Sequence, residues 1–197
     1  MMSAVNWPNL AILTLRDPKA AAAEIMAWQI PRDILWTGVV LVAIINTILS
    51  TVSDMLFPIP SPLDGIMANP LTLFAIAAVG FVATIYVLFW SGRLFGAKGG
   101  MDDLLVLLLW LQFLRAGAQV AVLVTLMVAP FLATILVLVI GIATIWIFLN
   151  FVNIGLHLNS MVRAVMVMGA GVIALALGLS MLFSLIGVDF IGVPSNV

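Results

Sequence analysis

The sequence predicts an all-α polytopic membrane protein, in which a five-helix transmembrane bundle follows a short N-terminal helix at the membrane interface. Three observations predict this fold class. Of the 197 residues, 65% are hydrophobic and only 8% are charged, whereas a globular domain is about half apolar and about a quarter charged. Five apolar segments are long enough to cross a bilayer. The few basic residues fall in alternate connecting segments.

Composition also excludes several classes of protein. A soluble fold of this composition would have a mostly apolar surface, which drives association, and the chain is too apolar for a disordered one. The net charge of −1 provides no basic field for nucleic acid. The absence of cysteine excludes disulfides and thiolate metal ligands.

Residues 1–33 are expected to form a cytosolic N-terminal segment that contains one amphipathic helix. Asp17 can cap this helix and Pro18 suits its first position. Its apolar side holds Ile25, Met26 and Trp28, so we expect it to lie in the inner interface. It is either an anchor that sets the entry angle of the first span or a surface that senses lipids or docks a partner.

The transmembrane domain is predicted over residues 34–186. A continuous apolar run covers its third and fourth spans, and Ala129-Pro130 is the natural break, because proline disfavours helix in the residue before it. The proline-rich outer loop, 54–69, is interpreted as a spacer, and residues 187–197 as a short outer tail. The five spans are predicted at about 34–53, 70–90, 104–128, 131–151 and 165–186.

Basic residues set the predicted orientation, because cytoplasmic loops carry an excess of lysine and arginine. Six lie in the N-terminal segment and in the loops after the second and fourth spans, and the other connecting segments have none. We therefore expect the N-terminus inside and the C-terminus outside, with the first span as an uncleaved insertion signal. The six are Arg16, Lys19, Arg32, Arg93, Lys98 and Arg163.

The seventh basic residue, Arg115, lies within the third predicted span. It is about 17 Å from the helix start at 1.5 Å per residue, where a charge costs about 2.5–3.5 kcal/mol. Gln112 and Gln119 share its helix face, and Asn46 is at a similar depth in the first span. These four residues form a candidate intramembrane polar site, for an anion or lipid headgroup or as a structural network.

A second polar group is predicted at the inner face. Asn150, Asn153 and His157 share one face if the fourth helix continues, and the loop before the third span lies on the same side of the membrane. A metal site or a pH sensor at His157 is conceivable, but we expect a hydrogen-bonded cluster with no metal. The cluster comprises Lys98, Asp102, Asp103, Asn150, Asn153 and His157.

Small residues recur every four positions on two spans, a spacing that permits close helix packing within a bundle or between two copies of the chain. The first stripe comprises Gly117, Ala121 and Thr125, and the second comprises Ala170, Ala174 and Gly178.

No catalytic motif is found. There is no H-E-x-x-H metalloprotease sequence, no complete nucleophile elbow and no glycine-rich phosphate loop after a strand. We therefore expect neither an enzyme nor a cofactor.

Four short segments carry a resemblance to a known family. They are Leu13–Pro18 (LTLRDP), Ile30–Arg32 (IPR), Phe95–Leu104 (FGAKGGMDDL) and Trp110–Leu114 (WLQFL). Together with the five spans, they resemble the bacterial branch of the Yip-one (Ypt-interacting protein) family. Its eukaryotic members are Golgi and endoplasmic reticulum membrane proteins that bind small GTPases, but their Asp-Leu-Tyr-Gly-Pro motif is not found here. The resemblance implies a bacterial inner-membrane protein.

Two functions remain open. The first is a non-enzymatic membrane scaffold or adaptor that organises the bilayer or recruits partners on the cytosolic face. The second is a small transporter or a lipid- or anion-binding protein with a site at Arg115. Expected partners are membrane lipids and either a second copy of the chain or another membrane protein, but no nucleic acid.

Overall fold

A computed structural model describes residues 6–58 and 69–186, with side chains up to 181. Within these ranges every regular element is a helix. The outer-loop spacer and the outer tail predicted from the sequence fall largely on residues 59–68 and 187–197, outside the described part. The helices are α1 (Trp7–Arg16), α2 (Pro18–Met26), α3 (Arg32–Leu56), α4 (Pro70–Leu94), α5 (Met101–Val128), α6 (Pro130–Gly155) and α7 (Met161–Ile186).

Helices α3 to α7 are the five that are long and apolar enough to cross a membrane. The predicted all-α polytopic fold class is confirmed. Each helix begins and ends within four residues of the span predicted for it. Most of the extra length lies at the ends next to the α4–α5 and α6–α7 loops, which are called the inner ends after the predicted orientation. Prolines begin α4 and α6, where the missing N–H costs nothing, since the first helical N–H groups have no partner in the helix.

The five long helices pack in a closed order, α3–α4–α7–α6–α5 and back to α3. Helix α5 also contacts α4 and α2, and α6 also contacts both α1 and α2. The inner half of α5 is buried on several sides, including Leu104, Leu105 and Leu107, which are completely inaccessible. At the opposite end, Val128 and Phe131 are 81% and 76% exposed. The core therefore lies at the inner end, and the outer half presents apolar faces suited to lipid.

The N-terminal segment contains two helices, where the sequence predicted one. Asp17 separates α1 from α2, and its carboxylate accepts hydrogen bonds from the backbone N–H groups of Lys19 and Ala20, both at 3.1 Å. The two helices pack on each other and across α5 and α6. The side chains of Leu10, Ala22 and Ile25 are buried there. The apolar side of this α1–α2 hairpin thus contacts the protein itself.

Candidate functional site

The loop between α4 and α5 docks on the turn that follows α6. The backbone N–H groups of Lys98 and Gly99 both donate to the carbonyl oxygen of Leu156, at 3.1 and 3.0 Å. A Cβ on Gly99 would lie 2.7 Å from the Cα of Leu156 and would overlap the carbonyl oxygen of Gly155. Only glycine fits here, so the Gly-rich segment joins two loops at the inner end.

The predicted inner-face cluster divides into separate contacts. Asn153 is buried and its Oδ1 accepts from the backbone N–H of Ser160 at 3.2 Å, which ties the end of α6 to the start of α7. Asn150 is also buried, and it donates to the carbonyl oxygen of Trp146 in its own helix. Asn153 therefore satisfies a backbone group in the turn, and Asn150 satisfies one within its own helix.

The charged members of that cluster lie at the surface. Asp102 forms an ion pair with Arg32 at 3.3 Å, while Asp103 accepts from the backbone N–H of Gly100 at 3.4 Å and so caps α5. Lys98 and His157 are exposed beside the docked loops. Among the described residues, no three His, Asp or Glu side chains are grouped as metal ligands.

An aromatic cluster that the sequence analysis missed joins the N-terminal hairpin to α5. The Trp7 ring stacks on Trp110 with centroids 5.8 Å apart, and Trp28 meets Trp7 edge to face at the same distance. The indole N–H of Trp110 donates to the buried hydroxyl of Thr14 at 3.0 Å. The spacing of Trp7, Leu10 and Thr14 is the signal that could have revealed α1, because residues three and four apart share a helix face.

The candidate intramembrane site opens into a cavity of about 360 Å³ between α3, α4, α5 and α6. Arg115, Gln112 and Asn46 line it, and the guanidinium of Arg115 donates to Gln112 Oε1 at 3.1 Å. Asn46 instead donates to the carbonyl oxygen of Val42 in its own helix. Gln119 is partly buried but is not among the residues that line this cavity. Thr84 and Thr144, which the sequence analysis did not select, complete the polar lining.

Arg115 also borders a second cavity of about 170 Å³. This one lies between α5, α6 and the N-terminal hairpin, where Ala11 and Leu15 of α1 form part of its wall. Thr144 borders both cavities. Arg115 therefore lies between the two cavities, one enclosed by the long helices and the other partly covered by α1.

The residues of the small-residue stripes are exposed or partly buried within one chain. A Cβ on Gly117 or Gly178 would meet nothing within 4 Å. Ala121 and Ala174 are exposed, and Thr125 and Ala170 are only partly buried. The close approach occurs elsewhere, for example at Gly155, where a Cβ would lie 3.2 Å from the Cα of Leu104. Gly117 and Gly178 therefore make no close approach to another helix within one chain, and whether the stripes pack within the bundle or between two copies stays a prediction.

Comparison with known proteins supplies the family. A family model described as the Yip1 domain matches residues 12–182. Neither the curated proteins nor the solved structures contain a match. The matched range runs from within α1 to within α7, so it includes all five candidate spans, the docked loops and both cavities. Because the match covers most of the chain, this multi-pass membrane protein belongs to the Yip1-domain family, the Yip-one family that its sequence resembles.

Proposed function

We propose that the chain is a non-enzymatic membrane scaffold or adaptor that recruits partners, or organises the bilayer, at its cytosolic face. The observation that carries the proposal is the α1–α2 hairpin. One side of the hairpin packs on the bundle through Leu10, Ala22 and Ile25. Lys19 and Glu24 are exposed on its other side. A charged surface held on a rigid support loses little conformational entropy when it binds a partner.

The proposal places the protein in a bacterial inner membrane with the N-terminus in the cytoplasm and the C-terminus in the periplasm. Six of the seven basic residues support this orientation. The chain has no cysteine, so single-cysteine variants test it directly. In intact spheroplasts, a membrane-impermeant maleimide should label Asn69→Cys at once and Lys98→Cys only after the membrane is opened. The reverse pattern would overturn the orientation.

Site-specific photo-crosslinking in native membranes tests the scaffold role. A photoreactive residue at Glu24 should capture a discrete protein partner, whereas one at Ile173, on an exposed apolar face of α7, should capture lipid. Lys19→Glu in the Glu24 probe strain should remove the adduct, because it reverses a charge on the same surface. If the Glu24 probe yields no protein adduct, or one that survives the reversal, this surface does not recruit partners.

A further inference from the structure

The charge of Arg115 has no anionic partner among the described residues that surround it. Neither cavity beside Arg115 is lined by an aspartate or a glutamate. Its one hydrogen bond within the described part of the chain goes to the neutral amide of Gln112. A charge within a span is stable when it is paired or faces water, and the guanidinium of Arg115, which is exposed, is accessible to an anion that the described residues around it do not supply.

The polar groups of the larger cavity lie in one layer of the bundle. Arg115 is fourteen residues from the inner end of α5 and Asn46 is fourteen from that of α3, or about 21 Å along each helix. Thr84 and Thr144 are ten and eleven residues from the inner ends of α4 and α6, or about 15–17 Å. Four helices therefore deliver polar groups to similar depths.

At Arg115 and Gln112, the hydrogen bonds already made leave donors available. Gln112 uses its carbonyl oxygen to accept from Arg115, so its amide N–H groups remain. Thr84 and Asn46 donate to carbonyl oxygens of their own helices and so offer oxygen acceptors, which ordered water can satisfy. Arginine carries five N–H donors in a planar fork that fits an oxyanion with two parallel bonds. Apolar neighbours such as Phe81 and Leu108 line the same cavity and strengthen such a contact by lowering the local dielectric constant.

We propose that this cavity binds a small oxyanion, a phosphate or a carboxylate, held by the guanidinium of Arg115 and the amide of Gln112. The cavity of about 360 Å³ has room for such a group and ordered water but not for a whole phospholipid. The oxyanion comes either from water, as inorganic phosphate, or from lipid, as the carboxylate of a fatty acid. This binding site is independent of partner recruitment by the α1–α2 hairpin.

Equilibrium binding to the full chain in dodecyl maltoside micelles tests the proposal, with radiolabelled inorganic phosphate and radiolabelled laurate as separate probes. One of them should bind saturably, with one molecule per chain. Arg115→Met replaces the guanidinium with an apolar side chain that resembles the stem of arginine and so removes the charge, and it should weaken binding by at least about tenfold, the effect of losing a charged hydrogen bond. Arg163→Met is the matched control, because Arg163 is exposed, as Arg115 is, but does not border either cavity; it should bind as the wild type does.

A second variant keeps the test decisive if Arg115→Met does not fold. Thr144→Leu retains the arginine but fills space in both cavities, and it should also weaken binding. Saturable binding of phosphate alone identifies a soluble anion, and saturable binding of laurate alone identifies a lipid-borne one. The proposal is overturned if neither probe binds saturably, or if the folded Arg115→Met or Thr144→Leu variant binds as tightly as the wild type.

Discussion

Replacing Gly99 with alanine should destabilise the inner end of the bundle. The added methyl group cannot occupy its position 2.7 Å from Leu156, so the loop must move away from the turn after α6. The backbone hydrogen bonds from Lys98 and Gly99 to Leu156 are then lost, at about 1 kcal/mol each. The carbonyl oxygen that they leave without a partner adds a cost, which gives a loss of about 2–4 kcal/mol in the free energy of unfolding.

Equilibrium unfolding in mixed micelles of dodecyl maltoside and SDS measures this loss. Tryptophan fluorescence can follow the transition, because Trp7, Trp28 and Trp110 form a cluster in the folded inner half. Gly117→Ala is the matched control, since nothing lies within 4 Å of the added Cβ and alanine favours helix by about 1 kcal/mol. The argument for close loop packing is refuted if Gly99→Ala unfolds at the same SDS fraction as Gly117→Ala.

Three further contacts are testable by substitution in the same unfolding assay. Trp110→Phe and Thr14→Val each remove the indole–hydroxyl hydrogen bond and should cost about 1 kcal/mol; additive effects in the double variant would show that the bond contributes nothing. Asp102→Asn breaks an ion pair whose side chains are 57% and 53% exposed, so the stability should change by less than about 1 kcal/mol, and a larger loss would contradict a surface role. Asn153→Ala removes a buried acceptor in the turn after α6 and should cost about 1–3 kcal/mol, whereas unchanged stability would mean that this bond is dispensable.

The five long helices were predictable because each must supply an apolar stretch long enough to cross the hydrocarbon, which no tertiary contact can replace. Helix α1 is different. It has only ten residues, and short helices are marginal without tertiary packing. The packing that stabilises α1 is tertiary, because Leu10 and Thr14 are buried against α5. Helix α5 is distant from α1 in the sequence. Besides the spacing of Trp7, Leu10 and Thr14, the sequence signal for α1 is its start at Asn6 and Pro8, which resembles the Asp17-Pro18 start of α2.

The candidate sites were predictable to a similar degree. The polarity of Arg115 and Gln112 and their spacing of three residues were visible in the sequence, and the structure joins them by a hydrogen bond. Their neighbour Thr144 was not selected, because threonine is tolerated in apolar helices, where its hydroxyl can bond to the helix backbone, so the residue type alone carries little signal. For the small-residue stripes, the sequence leaves the packing partner open. Spacing identifies a face that another helix could approach, but not whether a helix is there.

The connection between α5 and α6 has a consequence for how the protein enters the bilayer. Ala129 is the single residue between the two helices, and from Leu104 to Val162 the only charged residue is Arg115. No hydrophilic loop has to cross the hydrocarbon to complete this pair. During synthesis, α5 and α6 can therefore leave the translocon together as one hairpin, and they are already in contact before α7 has been made.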